Sequence, residues 1–198
     1  MSSGPTIEYV RRLGKRLNMV LVYIIMKKTP ISVKNPVNVS LLLHDIRSIH
    51  NVGSIFRTAD AFGVTKIYCS GYTPVPIDRF GRARADLAKV ALGAEMSVAW
   101  EYVSDAVMFL KDFKKGAGKM NGGVVIALEQ DKKSVNYKEI ATKIRSKKEI
   151  VLILGNEVDG VDKNLLDEAD VIAEIPMKGK KESLNVSVAA GIALFGMF

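Results

Sequence analysis

Residues 151–160 read Val-Leu-Ile-Leu-Gly-Asn-Glu-Val-Asp-Gly, and they set the reading of the whole chain. Val151–Leu154 is apolar at every position. Such a strand has both faces buried, as in parallel sheets covered by helices on both sides. The run ends in a turn holding Gly155 and Gly160, five residues apart. Glycine lets a backbone approach a neighbour or a ligand closely. The turn is neither the G-x-G-x-x-G dinucleotide fingerprint nor a Walker loop. Asp159, Asp162 and Asp167 do not have calcium-loop spacing. An ordinary strand-to-helix turn has the same look, so the segment must be read with its neighbours.

Working outward, the same alternation recurs. Val39–Leu43, Lys66–Cys69, Ser97–Tyr102, Val124–Leu128 and Val171–Ile175 read as strands. Asn51–Phe62, Ala83–Leu92, Ser104–Phe113 (with Ser104 as N-cap), Tyr137–Ser146 and Leu184–Phe195 read as helices, and Asp162–Glu168 as a short one. Residues 71–82 read as a loop and Gly116–Gly123 as a glycine-rich linker. The pattern predicts an α/β fold: a mostly parallel sheet with helices on both faces. Ligands of such sheets sit outside the carboxyl ends of the strands. Two further segments after strands therefore matter.

The first is Leu43-His-Asp-Ile-Arg-Ser-Ile-His-Asn51-Val-Gly53-Ser-Ile-Phe-Arg57-Thr-Ala-Asp-Ala-Phe-Gly63. Asn51 is a candidate N-cap. Ile55, Ala59 and Phe62 fall at helical spacing and predict the buried stripe. Ser54 and Arg57 then lie on another side, and Gly63 suits the left-handed helix end. An arginine near a helix N-terminus suits a phosphate. A capped amphipathic helix with a solvated arginine reads the same way.

The second is Glu174-Ile-Pro-Met177-Lys-Gly179-Lys-Lys-Glu-Ser183-Leu-Asn185-Val-Ser187-Val-Ala-Ala-Gly191. A strand ends at Ile175, a loop follows, and Ser183 is a candidate cap for the last helix. Ser187, Ala190, Gly191 and Leu194 place a small-residue stripe along it.

Composition bounds the classes. The chain has 198 residues, with 48% apolar and 25% charged residues. That suits one domain with an extension, here 1–38 ahead of 39–198, and excludes a disordered chain. Cys69 is the only cysteine, so no disulfide scaffold is present. Cys69, His44 and His50 show no metal-site spacing, so no metal is expected. The net charge is +8 and the pI about 9.5, which favours an anionic partner, nucleic acid first. The charge is uneven. In residues 1–36, seven Lys/Arg stand against Glu8 alone, which leaves +6 of the +8 there. The body, with 22 Lys/Arg and 20 Asp/Glu, is nearly balanced.

The leader's apolar run, Met19–Met26, is too short to span a bilayer and is expected to dock on the body as a helix or strand. Basic residues ahead of it have the outline of a signal peptide, but no small-x-small cleavage site follows. A cytoplasmic protein is the expectation, with no membrane partner. Met26-Lys-Lys-Thr-Pro also reads naturally as a start, which leaves residues 1–25 open.

Taken together, N-x-G-x3-R-T-A-x2-F-G, L-G-N-E-x2-G and I-P-M-x-G-x3-S-L-N-V-S-V-A occur in order. This set resembles the SpoU (TrmH) branch of the SPOUT methyltransferases, over about residues 39–198. Lys89-Val-Ala-Leu-Gly93-Ala-Glu also looks like a segment of that family, less specifically. The resemblance implies a SPOUT fold with a C-terminal trefoil knot and a homodimer with the site near its interface. It implies methyl transfer from S-adenosyl-L-methionine to a ribose 2′-hydroxyl of tRNA or rRNA. Gly155, Asn156, Glu157 and Gly160 then look like one wall of the cofactor pocket. Ile175, Met177 and Leu184 look like another, and Leu128 is a further candidate. Arg57, Asn51, Glu157, Ser183 and Asn185 match the family's catalytic and substrate-positioning residues.

Arg57 in that scheme has two readings. It acts as general base with help from an RNA phosphate, or it fixes phosphate and ribose while another acceptor takes the proton. Arginine almost never gives up its proton. RNA contact has candidates outside the motifs: Arg79, Arg82 and Arg84 near a glycine turn, and Arg47. A solvated loop reads equally well there. Many family members carry a separate N-terminal RNA-binding domain, for which the residues ahead of Val39 are too few. Competing readings are a non-catalytic RNA-binding protein of this fold, a SPOUT base methyltransferase and, more distantly, a generic nucleotide-binding α/β protein.

Overall fold

The computed structural model describes residues 37–116, 123–144 and 149–197, all within the unit Asn35–Phe198. The docked leader, the start at Met26, residues 145–146 of the predicted helix and most of the glycine-rich linker lie outside the described residues.

Seven strands form one sheet: β1 (Asn38–His44), β2 (Lys66–Ser70), β3 (Trp100–Val103), β4 (Val124–Leu128), β5 (Val135–Asn136), β6 (Glu149–Leu154) and β7 (Val171–Glu174). The order is β3-β2-β1-β6-β4-β7-β5, and every pairing is parallel. The α/β reading therefore holds. Alternation explains the apolar runs. In β6, Ile150, Leu152 and Leu154 face one core while Val151 and Ile153 face the other. In β1, Val39, Leu41 and Leu43 face the first core and Leu42 the second. Helices α1 (Ile49–Phe62), α2 (Ala85–Ala91), α3 (Ala94–Ser97) and α7 (Val186–Met197) cover the first face. Helices α4 (Ala106–Lys115) and α6 (Lys163–Leu166) cover the second. The short α5 (Ile140–Ile144) follows a 3-10 turn at Tyr137–Glu139. No described helix is long and apolar enough to cross a membrane.

Helix α1 buries Val52, Ile55, Phe56 and Ala59, while Phe62 is half-buried. Gly53 lets α2 come close: a Cβ there would stand 2.9 Å from both the Leu87 carbonyl and the Val90 Cβ. Gly63 closes the helix at φ +68°, its N–H directed at the Ala59 and Asp60 carbonyls. Burial of Phe56 alone anchors the helix, since truncating such a side chain costs about 3–5 kcal/mol.

Several expected boundaries move. Ser48, not Asn51, caps α1; its side chain accepts the Asn51 N–H. Asn51 lies in the first turn with its side chain free for other work. Asp105, not Ser104, caps α4, because burying Ala106 and Leu110 sets that register. Ser97 closes α3 and bonds Asp60 at 2.8 Å, so β3 starts only at Trp100. Asn185, not Ser183, caps α7: its carbonyl oxygen accepts the Ser187 N–H at 2.9 Å, and its main-chain carbonyl accepts the Ala189 N–H. β5 has only two residues and no apolar run to announce it.

The sheet order sets β4 between β6 and β7. The chain ends of these three strands, at Leu128, Leu154 and Glu174, therefore open side by side. Sheets of this kind bind ligands at such reversals of strand order.

Candidate active site

The turn after β6 is held from inside by Asn156. This side chain is buried, and both ends of its amide are occupied. Its nitrogen donates to the Asp45 carbonyl at 2.9 Å and to the Tyr72 hydroxyl. Its oxygen accepts the Val158 and Asp159 N–H groups at 2.7 and 3.1 Å. Main-chain bonds between Asn156 and Gly160 close the loop at 2.8 and 3.0 Å. Gly155 is required because a Cβ there would fall on the Gly160 backbone. Gly160 has φ +73°, and a Cβ there would strike the Glu129 carboxylate. Asn156 thus shapes the wall through its own internal bonds.

Glu157, at the tip of this turn, gathers three donors. Oε2 accepts the Arg47 N–H at 2.9 Å, and Oε1 accepts the Ser48 N–H at 3.1 Å and the Asn51 amide at 2.8 Å. Partial burial pushes the carboxyl pKa up. The Arg47 N–H, the Asn51 amide and the Ser48 N–H outweigh that and hold it below the usual carboxylate range. The Asn51 oxygen in turn accepts the Asn185 amide at 3.0 Å. Asn185 Oδ1 accepts the Ser187 N–H and hydroxyl at 2.9 and 2.7 Å. One chain of hydrogen bonds thus joins the three motif segments.

Beside it lies a cavity of about 380 Å³ at the ends of β4, β6 and β7. Gly155, Asn156, Glu157 and Gly160 line one side. Ile175, Met177, Ser183 and Leu184 line another, with Leu128 between. The volume lies within the usual range for small-ligand pockets. Among the described residues, every ionisable one on its lining is acidic: Glu129, Glu157, Asp159, Glu174 and Glu182. This lining favours a neutral or cationic ligand over a phosphate. Among the described residues no cluster of His, Cys, Asp or Glu is placed to hold a metal ion.

Glu129 escaped the sequence reading. It follows β4 directly, and its carboxylate accepts the Val161 and Gln130 N–H groups, both at 2.8 Å. Its place one residue past a strand end was the available signal.

The arginines stand apart from the cavity. Arg57 is exposed on α1 and makes no hydrogen bond or ion pair with another described residue. Arg47 presents its N–H to Glu157 while its side chain is exposed. Arg82 pairs with Asp78 at 2.8 Å, and Arg79 and Arg82 flank the Phe80 ring. Arg84 is half-buried, and its Nε is buried with no hydrogen-bond partner among the described residues.

A parallel sheet with a small-ligand cavity at three strand ends, joined to an arginine-bearing helix, defines a recognisable class. Residues 38–195 match the SpoU rRNA Methylase family, and the chain belongs to it. Among its relatives is a tRNA (guanosine(18)-2′-O)-methyltransferase of Aquifex aeolicus, 31% identical in an alignment of 186 positions that covers 89% of this chain and 79% of the relative. Another is a 23S rRNA (guanosine-2′-O-)-methyltransferase RlmB of Xylella fastidiosa, 34% identical over 78% of this chain and 56% of the relative. The chain thus spans little more than half the length of that rRNA enzyme. The A. aeolicus TrmH/SpoU tRNA modifying enzyme superposes with a TM-score of 0.67 at 30% identity, covering 83% of this chain and 75% of that one. The AdoMet-bound rRNA methyltransferase from Sinorhizobium meliloti gives 0.67 at 31%, covering 81% and 55%.

Proposed function

We propose that this protein transfers a methyl group from S-adenosyl-L-methionine to a ribose 2′-hydroxyl of tRNA or rRNA. The observation that supports this most is the Glu157–Asn51–Asn185 chain beside the acidic cavity. It ties a small-molecule pocket to the helix that carries Arg57. The acidic, half-apolar lining fits a cofactor that bears a sulfonium and an adenine. Main-chain groups near Ile175, Met177 and Leu184 would hold the adenine, and the Gly155–Gly160 turn would wall the remainder. Bound there, the cofactor supplies an electrophilic methyl group that needs no metal.

The protein's part is positioning. A ribose hydroxyl is a poor nucleophile and must be held close and in line. Arg57, exposed and unpaired among the described residues, serves to clamp an RNA phosphate and ribose. Ser183, on the cavity lining, and Asn185, bonded to Asn51, serve to orient the ribose in this reading. Glu157 stays ionised and keeps Asn51 in one rotamer.

A second copy of the chain belongs to this reading. Helix α7 has no charged residue, yet Val188 and Phe195 on it are 50% and 75% exposed. A helix apolar nearly all round is normally covered on every side. A homodimer through α7, the C-terminal trefoil knot and a place among cytoplasmic RNAs complete the proposal.

Labelled S-adenosylmethionine incubated with bulk tRNA and rRNA, followed by nucleoside analysis, tests it. The expected product is a 2′-O-methylated nucleoside. Label on a base would favour the base-methyltransferase reading, and no transfer at all would favour a non-catalytic RNA-binding protein.

A further inference from the structure

The segment Pro76–Arg84 is a hairpin. Ile77 and Ala83 form an antiparallel bridge, and the Arg84 N–H donates to the Pro76 carbonyl at 2.9 Å. Asp78 and Arg82 bond across the tip at 2.8 Å, and Gly81 turns the chain at φ +77°. The Asp78 carboxylate braces the inside. It accepts the Phe80 and Arg82 N–H groups at 2.8 and 3.0 Å and the Arg82 guanidinium at 2.9 Å. The tip is therefore preorganised without a core beneath it.

What it presents is Phe80. The ring is 66% exposed, although a large aromatic gains most by burial. Guanidinium carbons of Arg79 and Arg82 lie 4.8 and 5.0 Å from its centroid. An exposed aromatic ring with cations close beside it on a rigid turn is the chemistry that stacks an unpaired base while gripping its phosphates. The hairpin leads straight into α2, which packs closely on α1 at Gly53. Its position is thus referred to the helix that carries Arg57 and Asn51.

We infer that Phe80 is a stacking platform for an unpaired base of the RNA substrate, with Arg79 and Arg82 holding the flanking phosphates. This rests on the RNA methyl-transfer reading and adds where a base outside the cavity is held. Stacking of this kind is tolerant of base identity, so the platform reads single-strandedness rather than sequence.

The test uses the full chain and a single-stranded oligoribonucleotide carrying 2-aminopurine, whose fluorescence falls on stacking. Wild type should quench it. Phe80→Ala should lose the quench and bind about 5- to 150-fold more weakly, the range for one base stacked on one aromatic. Phe80→Trp should retain both. The salt dependence of binding should be unchanged in Phe80→Ala but shallower in Arg79→Ala/Arg82→Ala. S-adenosylhomocysteine affinity, measured by calorimetry, should be unaltered in all three variants and shows that they are folded. Wild-type quench and affinity in Phe80→Ala, with methyl transfer intact, would overturn the platform alone. A shift of Phe80→Ala from dimer to monomer at unchanged RNA affinity would also overturn it, by assigning the ring to a second copy. Absence of methyl transfer by wild type would instead refute the underlying reading.

Discussion

Asn51 and Glu157, 106 residues apart in the chain, are joined by a 2.8 Å hydrogen bond from amide to carboxylate. The bond couples the start of helix α1 to the turn after β6. The same Asn51 side chain also accepts from Asn185 at the start of α7. A hydrogen bond to a charged acceptor is worth roughly twice a neutral one, so Glu157 is the strong member of the chain.

Replacing the charge while keeping the shape should expose this role. Glu157→Gln retains one acceptor oxygen but weakens three bonds. Methyl transfer should fall about 10- to 150-fold, the equivalent of one hydrogen bond to a charged group. The loss should appear in kcat more than in the KM for S-adenosylmethionine, measured by steady-state kinetics.

The lowered pKa of Glu157 gives a pH signature with a definite sign. A depressed carboxyl contributes its full stability above the unfolded value of about 4.5. The contribution is lost as pH falls through the still lower folded value. Denaturation of wild type and Glu157→Gln should therefore differ by a constant amount above about pH 5 and converge in acid.

Ser48, which caps α1, and Asn51, which bonds Glu157 and Asn185, separate stability from activity. Ser48→Ala removes the cap of α1 and should cost about 1 kcal/mol in urea unfolding. Asn51→Ala, at a position that does not cap, should cost less stability and more activity.

At the loop, Gly155→Ala puts a methyl onto the Gly160 backbone. Overpacking of this kind costs about 1–3 kcal/mol. Cofactor affinity by calorimetry should drop along with Tm, because the same turn walls the cavity.

Much of this was legible before any coordinates. The largely apolar runs at Val39–Leu43, Val124–Leu128 and Val151–Leu154 announced a sheet buried on both faces, because each apolar side chain there meets a core whichever way it points. The motif glycines announced close backbone approach, and Gly155 and Gly160 show it against each other and Glu129. Caps were less legible. Ser48 and Asn51, like Ser183 and Asn185, are all competent cap residues, and only the buried helix face selects between them. β5 carries no pattern in its two residues. The Glu157–Asn51–Asn185 chain was invisible as a contact, since its members lie more than a hundred residues apart in pairs with Asn51 and only the sheet order brings them together.

The central claim, ribose methylation by a site that Glu157 holds in place, is tested most directly in cells. Sites of 2′-O-methylation in tRNA and rRNA would be mapped with the protein present, deleted, and restored as wild type or Glu157→Gln. Loss of a 2′-O-methyl site on deletion, recovered by wild type and not by Glu157→Gln, is the predicted result. An unchanged methylation map on deletion, or full recovery by Glu157→Gln, would contradict it.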